Sequence, residues 1–126
     1  MNTRYLMIAS ALVMAAIGLS LTFAPQEVLH ALGSEASGWQ LIFLQLCGAL
    51  YCGFALLNWN AKVVILGGIY GQPIVVGNLV HFTIGALALM KLLIAHSSEP
   101  ALWSLAIIYA LFAALFGYMT YTHPTK

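Results

Sequence analysis

An all-α integral membrane protein, an antiparallel up-down-up-down bundle of four transmembrane helices, is the fold that three observations predict. The chain has 126 residues, 63% hydrophobic and 6% charged, whereas soluble domains carry about a quarter charged residues. Its apolar residues gather in four stretches, about 5–24, 39–59, 74–95 and 101–121. Each is near the roughly 20 residues needed to cross a hydrocarbon core of about 30 Å. The runs are also continuous, where strands of a membrane barrel would alternate over about 10 residues. The remaining loops are too short for a second domain, so one domain over residues 1–126 is expected.

The first stretch follows Arg4 and ends in Thr22-Phe23-Ala24, which has the look of a cleavage site. Pro25 would follow that cut, so the stretch is expected to remain as a helix. Ala11, Ala15, Gly18 and Thr22 share one face, a small-residue row that suits close helix approach. Ser10 and Ser20 have no base near them and read as packing residues.

Residues 24–38, APQEVLHALGSEASG, predict a short outer interfacial helix. Pro25 fits a first turn, Glu27 complements the amino end, and Gly33 suits the carboxyl-terminal cap. Val28, Leu29 and Leu32 form its apolar stripe.

Trp39 and Trp59 bracket the second span as interfacial aromatics. Gln45, Gly48, Cys52 and Ala55 share one face, and Cys47, Tyr51, Phe54 and Asn58 another. Gln45 falls about 9 Å below the outer end at 1.5 Å per residue, where a neighbouring helix is the expected partner. Cys47 and Cys52 point about 140° apart, so they form no disulfide within the helix and read as packing residues.

A Gly-rich inner connection follows, in which Gly67, Gly68, Gly71 and Pro73 break helical continuity. Val63–Leu66 is apolar, so residues 61–73 either rest on the inner interface or re-enter the inner leaflet. Both readings stand.

The third span carries Gly77, Asn78, His81, Gly85 and Ala88 along a face expected to point inward. Asn78 and His81 are about 60° apart around the axis, and His81 lies near mid-membrane. The fourth span follows a tight turn at His96–Pro100 and shows a row of Ala106, Ala110, Ala113 and Gly117. Tyr118 and Tyr121 suit the inner aromatic belt.

Charge sets an orientation. Arg4, Lys62 and Lys126 fall on one side, and Glu27, Glu35 and Glu99 on the other. Lys91 alone departs, near the outer end of the third span, where its stem can snorkel. Both termini are therefore expected on the cytoplasmic side. No charge run points to nucleic acid.

Polar residues within spans are the candidate site: Asn78 and His81, with Gln45, Tyr51 and Asn58 as their expected company. This set either binds a ligand or handles protons, or it fixes helix packing through hydrogen bonds of about 0.6–2 kcal/mol each. His81 is the only histidine deep in a span, whereas haem in a helix bundle usually takes two. A surface metal site from His30, His96 and the three glutamates lacks a spacing motif. No span holds the acid on which small proton-coupled exporters depend, and the charge bias differs from that of dual-orientation fluoride channels. Neither a nucleophile with a neighbouring base nor a nucleotide motif is present, so no catalytic or metal residue is assigned.

The strings QLCGALYCGFALLNWNAK and GGIYGQPIVVGNLVHFTIGALALMK, with their G-N-x-x-H pattern, resemble small bacterial membrane proteins of the broad DoxX-like group. The resemblance covers roughly half the chain. It implies a compact four-helix bundle in the bacterial cytoplasmic (inner) membrane, and it permits contact with quinone. The leading expectation is a non-catalytic multi-pass protein whose bundle binds a lipid-like ligand or packs into a larger membrane assembly. Lipid, other membrane proteins or a second copy of the chain are its expected partners. A quinone-contacting subunit of a redox complex is the alternative, and a small transporter or channel is a third class.

Overall fold

A computed structural model describes residues 2–124, which are all-α with no strand among them. Five helices follow in order: α1 (Thr3–Phe23), α2 (Pro25–Ala31), α3 (Gly38–Ala61), α4 (Gln72–Ala95) and α5 (Pro100–Thr122). The four long ones have 21, 24, 24 and 23 residues. At 1.5 Å per residue each exceeds 30 Å, and each is apolar enough to cross a bilayer. The chain is a multi-pass membrane protein. Its helix limits lie within two residues of the expected spans. Lys126, part of the charge asymmetry, lies outside the described residues.

Local chemistry fixes the helix ends. Three of the five helices have proline in their first two positions, where the missing N–H has no intrahelical partner to lose. Helix α2 closes through Gly33 at φ 73°. There Ser34 N–H donates to Leu29 O and Gly33 N–H to His30 O, both at 3.0 Å, the paired bonds of a Schellman cap. An L side chain at that φ costs about 1 kcal/mol. Gly33→Ala should therefore speed exchange of the Ser34 amide by about fivefold, and unchanged exchange would show that the cap does not hold α2. Helix α3 begins one residue before the expected Trp39, because Ser37 and Gln40 form a capping box. Gln40 N–H donates to Ser37 Oγ at 3.4 Å and Ser37 N–H to Gln40 Oε1 at 3.2 Å.

Two compact units result. The unit Arg4–Val63 pairs α1 with α3. Ser10 meets Asn58, Gly18 meets Cys52, and Thr22 meets Gly48, so the helices run antiparallel. The expected small-residue face of α1 is present where it matters: a Cβ on Gly48 would lie 2.9 Å from Thr22 N and 3.0 Å from Gly18 O. Backbones that close leave room for hydrogen only.

The other unit pairs α4 with α5, also antiparallel. Here the interior is aromatic. Phe82, fully buried, stacks on Phe112 and Phe116 at centroid distances of 4.8 and 5.8 Å and meets Tyr109 edge-on at 5.2 Å. The row expected to pack α5 is thereby corrected. Ala106 is buried, but Ala110 is exposed and Ala113 and Gly117 are half-buried; Tyr109, Phe112, Phe116 and Met119 fill the inner face. The row expected inward on α4 is likewise rotated. Ala88 is exposed, Gly77, His81 and Gly85 are half-buried, and Val75, Asn78, Phe82, Ala86 and Leu93 form the buried line. The large ring of Phe82 takes the centre because it offers more contact area than glycine or alanine.

Candidate functional site

Membrane-spanning polar groups are built into both units. Asn58 and Ser10 are both fully buried in the α1–α3 unit. Asn58 Nδ2 donates to Ser10 Oγ at 3.0 Å and lies 3.7 Å from Met14 Sδ. Ser10 Oγ donates in turn to Met7 O at 3.0 Å. A chain from carboxamide to hydroxyl to carbonyl thus ties α3 to α1. Ser10 was expected only to pack; its role as partner of Asn58 is the addition. Both lie on antiparallel neighbours, in the half of each helix remote from α2, which is the signal that links them.

Gln45 and Tyr51 also belong to this unit. Tyr51 is half-buried, its Cβ 3.0 Å from the place a Cβ on Gly18 would take. Gln45 is exposed. It lines a cleft of about 330 Å³ with Phe23, Pro25, Gln26, Glu27 and Leu41. The expectation of a helix partner fails here because α2 folds beside this stretch and opens a polar cleft around the carboxamide. Cys52 packs against the Gly18 notch as expected, but Cys47 is exposed, and both are free thiols. Thr22 Oγ1, facing Gly48, is buried without a hydrogen-bond partner.

In the α4–α5 unit Asn78 is fully buried, and its Nδ2 donates to Ile74 O at 2.9 Å, one turn back. His81 is half-buried. Its Nε2 lies 3.4 Å from the Tyr109 hydroxyl, and its ring meets Phe82 edge-on with centroids 5.1 Å apart. A neutral imidazole donates or accepts according to its tautomer, so His81 and Tyr109 share one proton position in a long hydrogen bond. Gly85 makes the pair possible: a Cβ there would fall on Cε1 of the Tyr109 ring. Tyr109 lay outside the expected polar set. Gly85, one turn along α4 from His81, is the feature that marks where a large ring from a neighbour comes in.

The five expected residues thus divide as Gln45, Tyr51 and Asn58 in one unit and Asn78 and His81 in the other. Among the described residues, no group of three or more His, Cys, Asp or Glu side chains is placed to hold a metal ion. A second cleft, of about 640 Å³, lies along Gln26, Glu27, His30, Ser34 and Glu35 beside α2. Comparison with protein-family models, curated proteins and solved structures found no match to the chain.

Proposed function

We propose that the chain is a non-catalytic membrane protein whose helices bind a lipid-like ligand or pack into a larger membrane assembly. One observation carries this reading. The two fully buried asparagines of the spans bond to protein, Asn58 to Ser10 and Asn78 to Ile74, while large apolar side chains face outward. On α3 only 11% of the spanning window is buried, and Phe43, Leu46 and Leu50 are all more than half exposed. Such a surface offers lipid tails or partner helices a broad apolar face and offers water-soluble substrates nothing. The reading includes the bacterial cytoplasmic membrane, both termini inside, and kinship with the DoxX-like group. It is supported by the charge asymmetry of Arg4, Lys62 and Lys126 against Glu27, Glu35 and Glu99 and by the strings around Asn58 and His81.

A quinone-contacting role is the second reading, favoured by one feature. His81 and Tyr109 offer ring nitrogen and hydroxyl side by side against Phe82, the groups that recognise the carbonyl of a flat apolar ligand. Native mass spectrometry from mild detergent separates the two readings. Retained phospholipid or additional protein copies, with no quinone, is the expected result. A stoichiometric quinone lost in Tyr109→Phe would overturn the first reading in favour of the second. A reporter fused after Lys126 should remain inside the cell, and activity outside would overturn the orientation.

A further inference from the structure

We propose that the segment between α3 and α4 is a rigid wedge seated in the lipid interface, at the end where α4 begins and α5 ends. Its backbone is held by its own turns. Gly68 N–H donates to Ile65 O at 3.1 Å, Gly71 N–H to Gly68 O at 3.0 Å and Gln72 N–H to Gly68 O at 3.1 Å. A clamp then fixes it to the chain after α5, where Gly67 N–H donates to Pro124 O at 2.9 Å. The clamp has no slack, because a Cβ on Gly67 would overlap the carbonyl oxygens of both His123 and Pro124.

That clamp decides the depth. Pro124 lies two residues beyond a 23-residue helix, about 34 Å long at 1.5 Å per residue and so longer than a hydrocarbon core of about 30 Å. A segment tied to Pro124 lies at the end of the span and not part-way down it. Its side chains match an interface. Leu66 is buried beneath the turns, while Ile65, Ile69 and Tyr70 are 60, 86 and 89% exposed. Tyr118 and Tyr121, on the last turns of α5, are exposed at the same end. Tyrosine suits the headgroup layer, with ring towards the chains and hydroxyl towards water. Water would leave the isoleucines unburied, and the deep core would leave the tyrosine hydroxyls without water. The interfacial layer of one leaflet is the occupant that satisfies both.

The test places one fluorophore on the tip, Ile69→Trp with Trp39, Trp59 and Trp103 changed to Phe, in the full chain in phosphatidylcholine–phosphatidylglycerol vesicles. Lipids brominated near the headgroup should remove more of its emission than lipids brominated at the chain ends, and aqueous iodide should remove little. Strong iodide quenching, or stronger quenching from the chain ends, would overturn the proposal. Carbene labelling of the unaltered chain from a lipid-dissolved reagent supplies the same reading without substitutions: residues 65–70 should be labelled, and their protection would overturn it. Adding Gly67→Ala should raise iodide access and shift emission to the red; no change would overturn the clamp.

Discussion

Gly48→Leu should pull α1 away from α3 and cost about 3 kcal/mol, the upper part of the range for an overpacked interior. A side chain at position 48 meets Thr22 Oγ1 first and then backbone that cannot turn aside: Thr22 N at 2.9 Å and Gly18 O at 3.0 Å from the first carbon alone. A flexible side chain could rotate away, but a peptide group moves only with its helix. Helix propensity opposes the effect, since alanine is favoured over glycine by about 1 kcal/mol within a helix. Gly48→Ala should consequently cost less than Gly48→Leu while remaining destabilising. Gly53 provides the control five residues along the same helix, because nothing lies within 4 Å of its added Cβ. Gly53→Leu should be neutral or slightly stabilising. Unfolding in mixed micelles, followed by loss of helical circular dichroism as a denaturing detergent is added, measures all three. Equal midpoints for the Leu variants at 48 and 53 would show that α1 and α3 do not rely on close approach.

The contrast between those two glycines shows what was legible in the sequence. Length and continuous apolarity marked the four spans because a bilayer demands both, whatever the neighbours do. Helix ends were legible through Pro25, Gly33 and the interfacial tryptophans. The inward faces were harder. In water an apolar stripe marks the core, but lipid is as apolar as a protein interior, so a helix that is apolar all round carries little sign of which side is buried. On α1 the small residues pointed the right way, because Gly18 is where Cys52 comes closest. On α5 the same logic picked Ala110 and Ala113, while Phe112 and Phe116 turned inward to stack on Phe82. Polarity guided better for the asparagines, since Asn58 and Asn78 are both fully buried, though Gln45 is exposed. Ser10 reads as a packing residue and Tyr109 goes unmarked because each is ordinary alone and gains its role only from the residue across the helix pair.

Phe82→Ala should be the most damaging single change in the α4–α5 unit. In a soluble core, Phe→Ala costs about 3–5 kcal/mol, combining lost transfer from water with the cavity left behind. The transfer part largely vanishes in a bilayer, since the unpaired helix would bury the same ring in lipid. Cavity and ring contacts remain. Phe82 meets Phe112, Phe116 and Tyr109 within 6 Å, and each favourable aromatic pair adds about 0.5–1.5 kcal/mol. The expected loss is therefore about 2–3 kcal/mol, measured by the same detergent titration. Phe82→Leu restores much of the volume without the rings, so the gap between the two variants separates cavity from stacking. Tyr109 adds a local readout: it packs against both Phe82 and His81, so its near-ultraviolet dichroism should fall in Phe82→Ala. A variant that keeps both the midpoint and that signal would show the ring cluster to be dispensable, leaving the pairing of α4 and α5 to the notch at Gly85 and to the turn that joins them.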